Sequence, residues 1–372
     1  MTKHGVPVTE QNVRFFGRTL FRDGVWYFDM TGAGFEVRFF GTGLSARLVT
    51  DKAISLSERA FLTVFVDGEE KEHFPLKGKA RWYPLASGLP EGEHTLRLIK
   101  RSEARRSAAG VTELLPEGGG LLPPVPSGRS RKIEFIGDSI TCGYGNTASE
   151  LAIKFFSAEE DGLATYAALA AEALEADFHT VCASGWAVRK SPYGGCLPEV
   201  YCKTDGFRFE EEWDFSRFQP DLVVINLGTN DYAWYCYYAK NADLTEKSVA
   251  RLGAEKKWLE EGETDDGDAL LTAFRDAYAG FLALVRQKNP DAWILCTLGL
   301  MGCELEPQIK EAIAKSRLKR VSYFRLPYLS EVGGPGGNGH PNLEAHRNAA
   351  ELLAAHLRLR MGWENTSPGG RP

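Results

Sequence analysis

The stretch IEFIGDSITCGYGN, residues 133–146, decides the fold of this chain. Its first four residues form a short, apolar, β-prone run, and Gly137, Gly143 and Gly145 interrupt the chain directly after it. Ser139 therefore stands where a buried strand stops, which is where a nucleophile would be displayed. An Asp-Ser pair is also typical of a helix N-cap, so the rest of the chain has to separate the two interpretations.

Downstream of this stretch the sequence alternates strand and helix patterns. The helical stripes fall at 162–177, 270–290 and 343–360. Mostly continuous apolar runs, typical of strands covered on both faces, predict strands at 133–136, 179–183, 222–227, 293–298 and 321–326. Five strands with helical crossovers predict a three-layer α/β/α domain with a five-stranded parallel sheet, whose ligands bind beyond the carboxyl ends of the strands.

Upstream, the pattern is strand, turn, strand. Phe35, Val37 and Phe39 share one face of a period-2 run, and Asp67 and Gly68 lie between two further runs as in a β-hairpin. We therefore predict an all-β jelly-roll or sandwich domain over 1–120, a Pro- and Gly-rich linker over 121–132 and the α/β domain over 133–372. Two loops, 191–213 and 233–268, are long enough to shape a site or an interface.

Charge and composition exclude some partners. A net charge of −6 and a pI near 5.8 argue against nucleic-acid or anionic-membrane binding. The one dense basic run, from Lys100 to Arg106 and broken by Glu103, is expected to be a solvated strand end.

The cysteines and the N-terminus bear on location. No signal-peptide-like or membrane-spanning apolar run occurs, and the seven cysteines include no CxxC pair. These features predict reduced thiols and a cytoplasmic location. His340 and His346 lack HExxH spacing, so neither a metal nor another cofactor is expected; the oligomeric state is left open.

Four different strand or helix ends supply groups suited to acyl transfer. Ser139 follows the first strand, Gly185 with its bare backbone N–H follows the second, and Asn230 with its side-chain amide follows the third. His340 lies on a Gly-rich loop directly before the last helix. Each has an ordinary structural explanation alone, but together and in this order they predict a hydrolase site at one edge of the sheet.

These blocks resemble those of the SGNH, or GDSL, hydrolase superfamily, which implies a flavodoxin-like fold. The matching blocks are Gly137-Asp138-Ser139, Gly185, Gly228-Thr229-Asn230-Asp231 and His340-Pro341. The β-rich module, with GAGFEVRFFGTGLSARL and GEHTLRLIKRSEA, together with GDSITCGYGN, further resembles carbohydrate esterase family 2. Members of that family join a jelly-roll domain to the hydrolase domain and remove acetyl groups from plant polysaccharide sugars.

One position departs from the superfamily pattern. Most members carry an Asp three residues before the catalytic His, and here that position is Gly337. In some members of the family that this chain resembles, a backbone carbonyl takes the role of the Asp in a Ser-His dyad, and this sequence looks similar. Whether a third acid or a backbone carbonyl orients His340 is left open at this point.

Carried over to this chain, the resemblance implies a serine esterase. Ser139 would be the nucleophile and His340 the general base, with an oxyanion hole formed by the Ser139 and Gly185 N–H groups and the Asn230 amide. Trp186, Trp234 and Asp231 are candidate substrate contacts. The predicted function is removal of acetyl groups from xylan- or mannan-type oligosaccharides. The alternatives are a lipid or aryl ester hydrolase and a catalytically impaired carbohydrate-binding protein.

Overall fold

The computed structural model describes residues 5–51, 55, 57–238 and 267–363. Its first twelve strands form two antiparallel six-stranded sheets. The strands are β1 Val6–Pro7, β2 Arg14–Phe16, β3 Leu20–Arg22, β4 Val25–Tyr27, β5 Gly34–Gly41, β6 Gly43–Val49, β7 Phe61–Val66, β8 Glu69–Pro75, β9 Ala80–Ala86, β10 Gly92–Lys100, β11 Gly110–Glu117 and β12 Gly120–Leu122.

The two sheets pack face to face as the all-β domain that the alternating pattern predicts. One runs β3-β4-β11-β6-β9, with β1 beside β11, and the other runs β12-β5-β10-β7-β8, with β2 beside β5. Phe35, Val37 and Phe39 of β5 are fully buried in the core between them. The Asp67-Gly68 pair joins the antiparallel strands β7 and β8, so the hairpin prediction is confirmed.

The remaining strands form the predicted five-stranded parallel sheet. They are β13 Arg131–Gly137, β14 Ala176–Cys182, β15 Leu222–Asn226, β16 Trp293–Leu300 and β17 Val321–Tyr328. Their order, β14-β13-β15-β16-β17, is the 2-1-3-4-5 order of flavodoxin-like folds. The order changes direction at β13, so the ends of β13, β14 and β15 meet around one crevice.

Helices cover both faces of this sheet. They are α1 Ser139–Cys142, α2 Tyr166–Ala173, α3 Leu197–Val200, α4 Thr229–Tyr238, α5 Gly267–Lys288, α6 Glu306–Ser316, α7 Leu329–Val332 and α8 Leu343–Met361, with 3-10 turns at Ser157–Glu159, Gly162–Ala164, Phe215–Arg217 and Gly337–Gly339. Buried residues of α2 and α8 pack on Leu222 and Val224, whereas those of α5 and α6 pack on Val223 and Ile225. Successive residues of a strand point to opposite faces, which explains the continuous apolar runs.

Some predicted boundaries differ from the observed ones. The predicted linker, 121–132, overlaps β12, which pairs with β5, and β13, which begins at Arg131. The second predicted long loop, 233–268, begins inside α4 and ends inside α5, and its central residues lie outside the described part of the chain. All seven cysteines are free. Among the described residues, no helix combines the length and apolarity needed to cross a membrane.

The interface between the two domains contains buried charges, which corrects one prediction. Lys100, Arg101 and Glu103 are buried and not a solvated strand end, because the segment after β10 is covered by the α/β domain. Arg18 is buried as well and donates to the backbone carbonyls of Tyr201 and Lys203 at 2.6 Å each. The charged run after β10 therefore lies at the domain interface, where it makes hydrogen bonds to the α/β domain.

We predict that Arg18→Ala lowers the free energy of unfolding by about 3 to 5 kcal/mol, since it leaves the buried Glu134, 3.6 Å from the Arg18 guanidinium, without its cation. The control is Arg22→Ala, whose ion pair with Glu211 at 3.3 Å also joins the domains but is half-exposed and should contribute about 1 kcal/mol or less. Urea and thermal unfolding measure both variants. Equal destabilisation by the two variants would contradict the prediction.

Candidate active site

Ser139 is the first residue of α1, directly beyond the end of β13. The helix cap is its neighbour Asp138, whose carboxylate accepts a hydrogen bond from the Ile140 N–H at 3.0 Å. Asp138 therefore carries out the capping that the Asp-Ser pair suggested. The Ser139 hydroxyl is left to face the crevice at the ends of the strands.

His340 approaches Ser139 from the loop before α8. Its Nε2 lies 2.8 Å from Ser139 Oγ, and its Nδ1 lies 3.3 Å from the backbone carbonyl oxygen of Asn338. An Nδ1–H that donates to this carbonyl leaves Nε2 free to accept the serine proton. Burial lowers the pKa of His340 to about 4, against the opposing effect of the carbonyls of Asn338 and Gly337. The imidazole is consequently neutral at pH 7 and able to take up a proton.

The backbone geometry explains the glycine at the position where most superfamily members carry Asp. The Gly337 N–H donates to the Gly145 carbonyl at 2.8 Å, so the His340 loop lies against the loop that follows α1. A Cβ at Gly337 would lie 2.9 Å from the Cβ of Ala148, closer than real Cβ atoms come. An Asp side chain does not fit at this position while the loops keep this packing.

Three candidate oxyanion donors follow the ends of β13, β14 and β15. The backbone N–H groups of Ser139 and Gly185 make no hydrogen bond within the described part of the chain. The Asn230 amide donates to the Trp186 carbonyl at 2.8 Å and, more weakly, to Asp138 Oδ2 at 3.3 Å. The structure thus brings together the Ser, Gly, Asn and His that the sequence singled out, in an arrangement suited to holding an oxyanion.

Two buried carboxyl groups fix these elements. Burial is the main cause that raises the pKa of Asp138 to about 7, and Asp231 adds to it. Burial likewise raises the pKa of Asp231 to about 6, while three backbone N–H donors lower it. Those donors belong to Val188, Arg189 and Lys190, so Asp231 holds the loop after β14 against the start of α4.

The three side chains predicted as substrate contacts are buried in this structure. Trp186 is buried and stacks on Phe207 with a centroid distance of 5.2 Å, and Trp234 is buried against α5. Neither indole face is open to a sugar, because both large apolar side chains complete the packing of the loops that carry Gly185 and Asn230. Asp231 is also buried, with both oxygens occupied by backbone donors.

Two tyrosines that sequence reasoning missed flank the crevice. The Tyr144 ring packs on the His340 ring with a centroid distance of 4.3 Å. Tyr193 lies beside Gly185, where a Cβ built on the glycine would be 2.8 Å from the Tyr193 Cβ, and its side chain is 37% exposed. Both residues come from loops; Tyr144 lies against His340, and the fold brings Tyr193 against Gly185.

One group of buried side chains has the spacing of metal ligands. Ligand atoms of Glu103, Cys142 and Glu160 lie within 4.8 Å of one another. Both Glu103 oxygens already accept hydrogen bonds, from Arg106 and from the Ser184 N–H, and one Glu160 oxygen accepts the Glu103 N–H. Hydrogen bonds, two of them across the domain interface, account for three of the four carboxylate oxygens in this group.

Comparisons with known proteins identify a family for each of the two domains. Residues 135–359 match the GDSL-like Lipase/Acylhydrolase family, and residues 15–126 match the Carbohydrate esterase 2 N-terminal family. A cellulase/esterase from Acetivibrio thermocellus is 32% identical over 350 residues, which are 90% of this chain and 37% of that protein. An acetylxylan esterase / glucomannan deacetylase from Cellvibrio japonicus is 24% identical over 97% of this chain and 92% of its own length.

A solved structure shares both domains. It is a family two carbohydrate esterase from Clostridium thermocellum in complex with cellohexaose, 28% identical, with a TM-score of 0.77 over 95% of this chain and all of that one. The fold and the family matches define the protein as a carboxylic ester hydrolase of the GDSL type. More particularly, the chain belongs to the GDSL-like lipase/acylhydrolase family and carries the pair of domains that characterises carbohydrate esterase family 2.

We predict that Gly337→Asp lowers kcat by at least about 10-fold instead of creating a triad. The new side chain has to displace Ala148, and shifting His340 by about 1 Å costs up to about 100-fold. The matched variant is Gly337→Asp with Ala148→Gly, which removes the obstructing Cβ and should recover part of the loss. Ester hydrolysis measures both variants; an increase in kcat for the single variant would contradict the packing explanation.

The pH dependence of hydrolysis tests the state of His340. Since its pKa is lowered to about 4, the neutral form should persist through pH 5, and kcat/KM should fall about tenfold per pH unit only below about 4. Samples kept at low pH are assayed again at pH 7, so that a loss of activity caused by unfolding is recognised. A fall in kcat/KM that is centred near pH 6.5 and persists in the Asp138→Asn variant would contradict the prediction. A fall that is centred near pH 7 and disappears in this variant would instead report the titration of Asp138.

Proposed function

We propose that this protein is a carbohydrate O-acetyl esterase that uses Ser139 as its nucleophile and acts on xylan- or mannan-type oligosaccharides. The observation that carries the proposal is the 2.8 Å contact between His340 Nε2 and Ser139 Oγ. The matched carbohydrate esterase 2 domain supports a sugar ester as the substrate.

In the first half of the reaction Ser139 becomes acetylated. Ser139 Oγ attacks the acetyl carbonyl carbon while His340 Nε2 takes the hydroxyl proton. The resulting oxyanion accepts hydrogen bonds from the Ser139 and Gly185 N–H groups and from Asn230, whose weaker bond to Asp138 is the one released. The bond from the carbonyl carbon to the sugar oxygen then breaks, and the His340 imidazolium protonates that oxygen as the sugar leaves.

In the second half water replaces the serine. His340 takes a proton from a water molecule, whose oxygen attacks the acetyl carbon of the acyl-enzyme. The oxyanion is held by the same donors, and its collapse breaks the bond to Ser139 Oγ, which recovers the proton from His340. Acetate is released, and the enzyme returns to its starting state with no net change in its own protons.

The choice of sugar class draws on the relatives and on the crevice. The relatives include an acetylxylan esterase / glucomannan deacetylase, and a related structure is a complex with cellohexaose. Tyr193, partly exposed beside Gly185, offers an aromatic face at the edge of the crevice on which a sugar ring could stack.

A second candidate is hydrolysis of lipid or aryl esters, which one surface feature favours. Leu151 and Ile153 are 82% and 65% exposed, and the residue between them accepts a hydrogen bond from the Asn338 N–H. Apolar side chains therefore stand exposed next to the His340 loop, where they could contact an apolar leaving group or acyl chain.

The deciding experiment measures acetate release from acetylated xylo- and manno-oligosaccharides, beside hydrolysis of a long-chain acyl ester. We expect fast release from the sugars, slow hydrolysis of the long-chain ester, and loss of about 10⁴-fold or more in Ser139→Ala, because no other group supplies the nucleophile. The matched control is Ser316→Ala, which changes a serine at the end of α6 and keeps Ser139.

Each alternative has its own result. Preference for the long-chain ester, reduced when Leu151 and Ile153 are replaced by Ser, would favour the lipid or aryl ester hydrolase. Binding of the oligosaccharides without hydrolysis of any ester would favour the carbohydrate-binding protein. Acetate release from sugars that survives Ser139→Ala would refute the serine mechanism.

A further inference from the structure

A loop of the all-β domain contacts the peptide that carries one of the proposed oxyanion donors. This interface loop, residues 101–107, lies between β10 and β11. Arg105 donates one guanidinium N–H to the Ser184 carbonyl at 2.6 Å and another to the Tyr193 carbonyl at 3.0 Å. Glu103 accepts the Ser184 N–H at 2.7 Å. Both polar groups of the Ser184 backbone are therefore bound by charged side chains from the other domain.

The contact with the Ser184 carbonyl reaches the oxyanion hole through one rigid unit. The C=O of Ser184 and the N–H of Gly185 belong to the same peptide group, which is planar and trans. A hydrogen bond that fixes the direction of the carbonyl consequently fixes the direction of the N–H on its opposite side. A charge-assisted bond to the carbonyl also polarises the peptide and makes its N–H a stronger donor.

The Gly185 N–H needs this support because the local backbone does little to fix its direction. Its φ is +82°, in the left-handed region, and its N–H makes no hydrogen bond within the described part of the chain. A Cβ built at Gly185 would lie 3.0 Å from an Arg105 guanidinium nitrogen, so the arginine occupies the space beside the glycine.

The interface loop is itself held in place by further bonds. The Lys100 ammonium donates to the carbonyls of Ser102 and Glu103 at 2.7 and 2.9 Å. Arg208 of the α/β domain donates to the Ala104 carbonyl at 2.5 Å and to Asp51 at 2.7 Å. With so many fixed contacts, the loop is suited to supporting a neighbouring site.

We propose that Arg105, assisted by Glu103, is a positioning residue for the oxyanion hole, so that the all-β domain contributes to catalysis by orienting the Gly185 N–H. This inference rests on the proposed function, in which that N–H binds the oxyanion. Arg105 acts on the reaction only through the Ser184–Gly185 peptide and, through the Tyr193 carbonyl, on the loop beside it.

The test compares wild type with Arg105→Ala in two assays. The first is steady-state hydrolysis of acetylated oligosaccharides, in which kcat should fall by about 10- to 100-fold while KM changes less than about 3-fold, because the lost support concerns the transition state. The second is labelling of Ser139 by a fluorophosphonate. There Ser139 Oγ forms a bond to phosphorus, fluoride leaves, and His340 takes the serine proton, so the rate depends on the same hole without any sugar. It should fall by a similar factor.

Two further variants separate positioning from general damage. Arg105→Lys keeps one cationic donor and should lose less than Arg105→Ala; added guanidinium chloride, but not equal sodium chloride, should restore part of the alanine variant's labelling rate. Arg217→Ala is the matched control, since Arg217 also joins the domains, through Glu10 at 2.6 Å, and should label within about 2-fold of wild type. Thermal unfolding confirms that each variant is folded.

The outcomes distinguish this inference from the proposed function. Labelling of wild type that slows in Arg105→Ala supports the inference even if no acetylated sugar is hydrolysed, which would defeat only the proposed substrate. Labelling and kcat within about 2-fold of wild type in Arg105→Ala would overturn it. An increase in KM alone, a loss in Arg217→Ala as large as that in Arg105→Ala, or no labelling of wild type would overturn it as well.

Discussion

The hydrogen bond between His340 Nε2 and Ser139 Oγ joins residues that are 201 positions apart. Elements from much of the C-terminal domain hold these two residues in place and so set its length of 2.8 Å. One side is fixed by β13 and the cap of α1. The other is fixed by backbone contacts, with the Gly337 N–H on the Gly145 carbonyl at 2.8 Å and the Asn338 N–H on the Ala152 carbonyl at 2.7 Å. Where many superfamily members carry an Asp before the catalytic His, this chain has Gly337, and the Asn338 carbonyl lies 3.3 Å from His340 Nδ1. The group beside His340 Nδ1 is thus a backbone carbonyl and not a charged side chain.

This arrangement has an electrostatic consequence. A carboxylate beside the imidazole would favour its protonated form, whereas a neutral carbonyl in a partly buried site does so only weakly. Burial therefore dominates and lowers the pKa of His340. The imidazole is neutral at pH 7, with one nitrogen able to accept a proton, and in the proposed reaction the imidazolium would have the Asn338 carbonyl as its hydrogen-bond partner.

Backbone groups are also the partners of charged side chains at the domain interface. Arg18, Lys100 and Glu103 are buried there; Arg18 and Glu103 bond to backbone groups of the α/β domain, and Lys100 bonds to carbonyls of its own loop. Charges with such partners are costly to separate, because each would be left buried without its bonds. The two domains are thereby held in one relation, and this allows a loop of the all-β domain to reach a peptide at the end of β14. The sandwich is part of the framework around the crevice as well as a neighbouring domain.

The sequence by itself determined the class of each domain, the five parallel strands and the family, because these follow from periodicity and from four short blocks, each local in the chain. It also singled out Ser139, Gly185, Asn230 and His340, which the fold gathers at one sheet edge; their catalytic roles remain predictions. Only the tertiary structure decided which residues surround them. Trp186, Trp234 and Asp231 lie in the packing, Tyr144 and Tyr193 line the crevice, and the charged run after β10 is buried. Residue type does not reveal burial at an interface, since the atoms that cover a side chain come from residues distant in sequence.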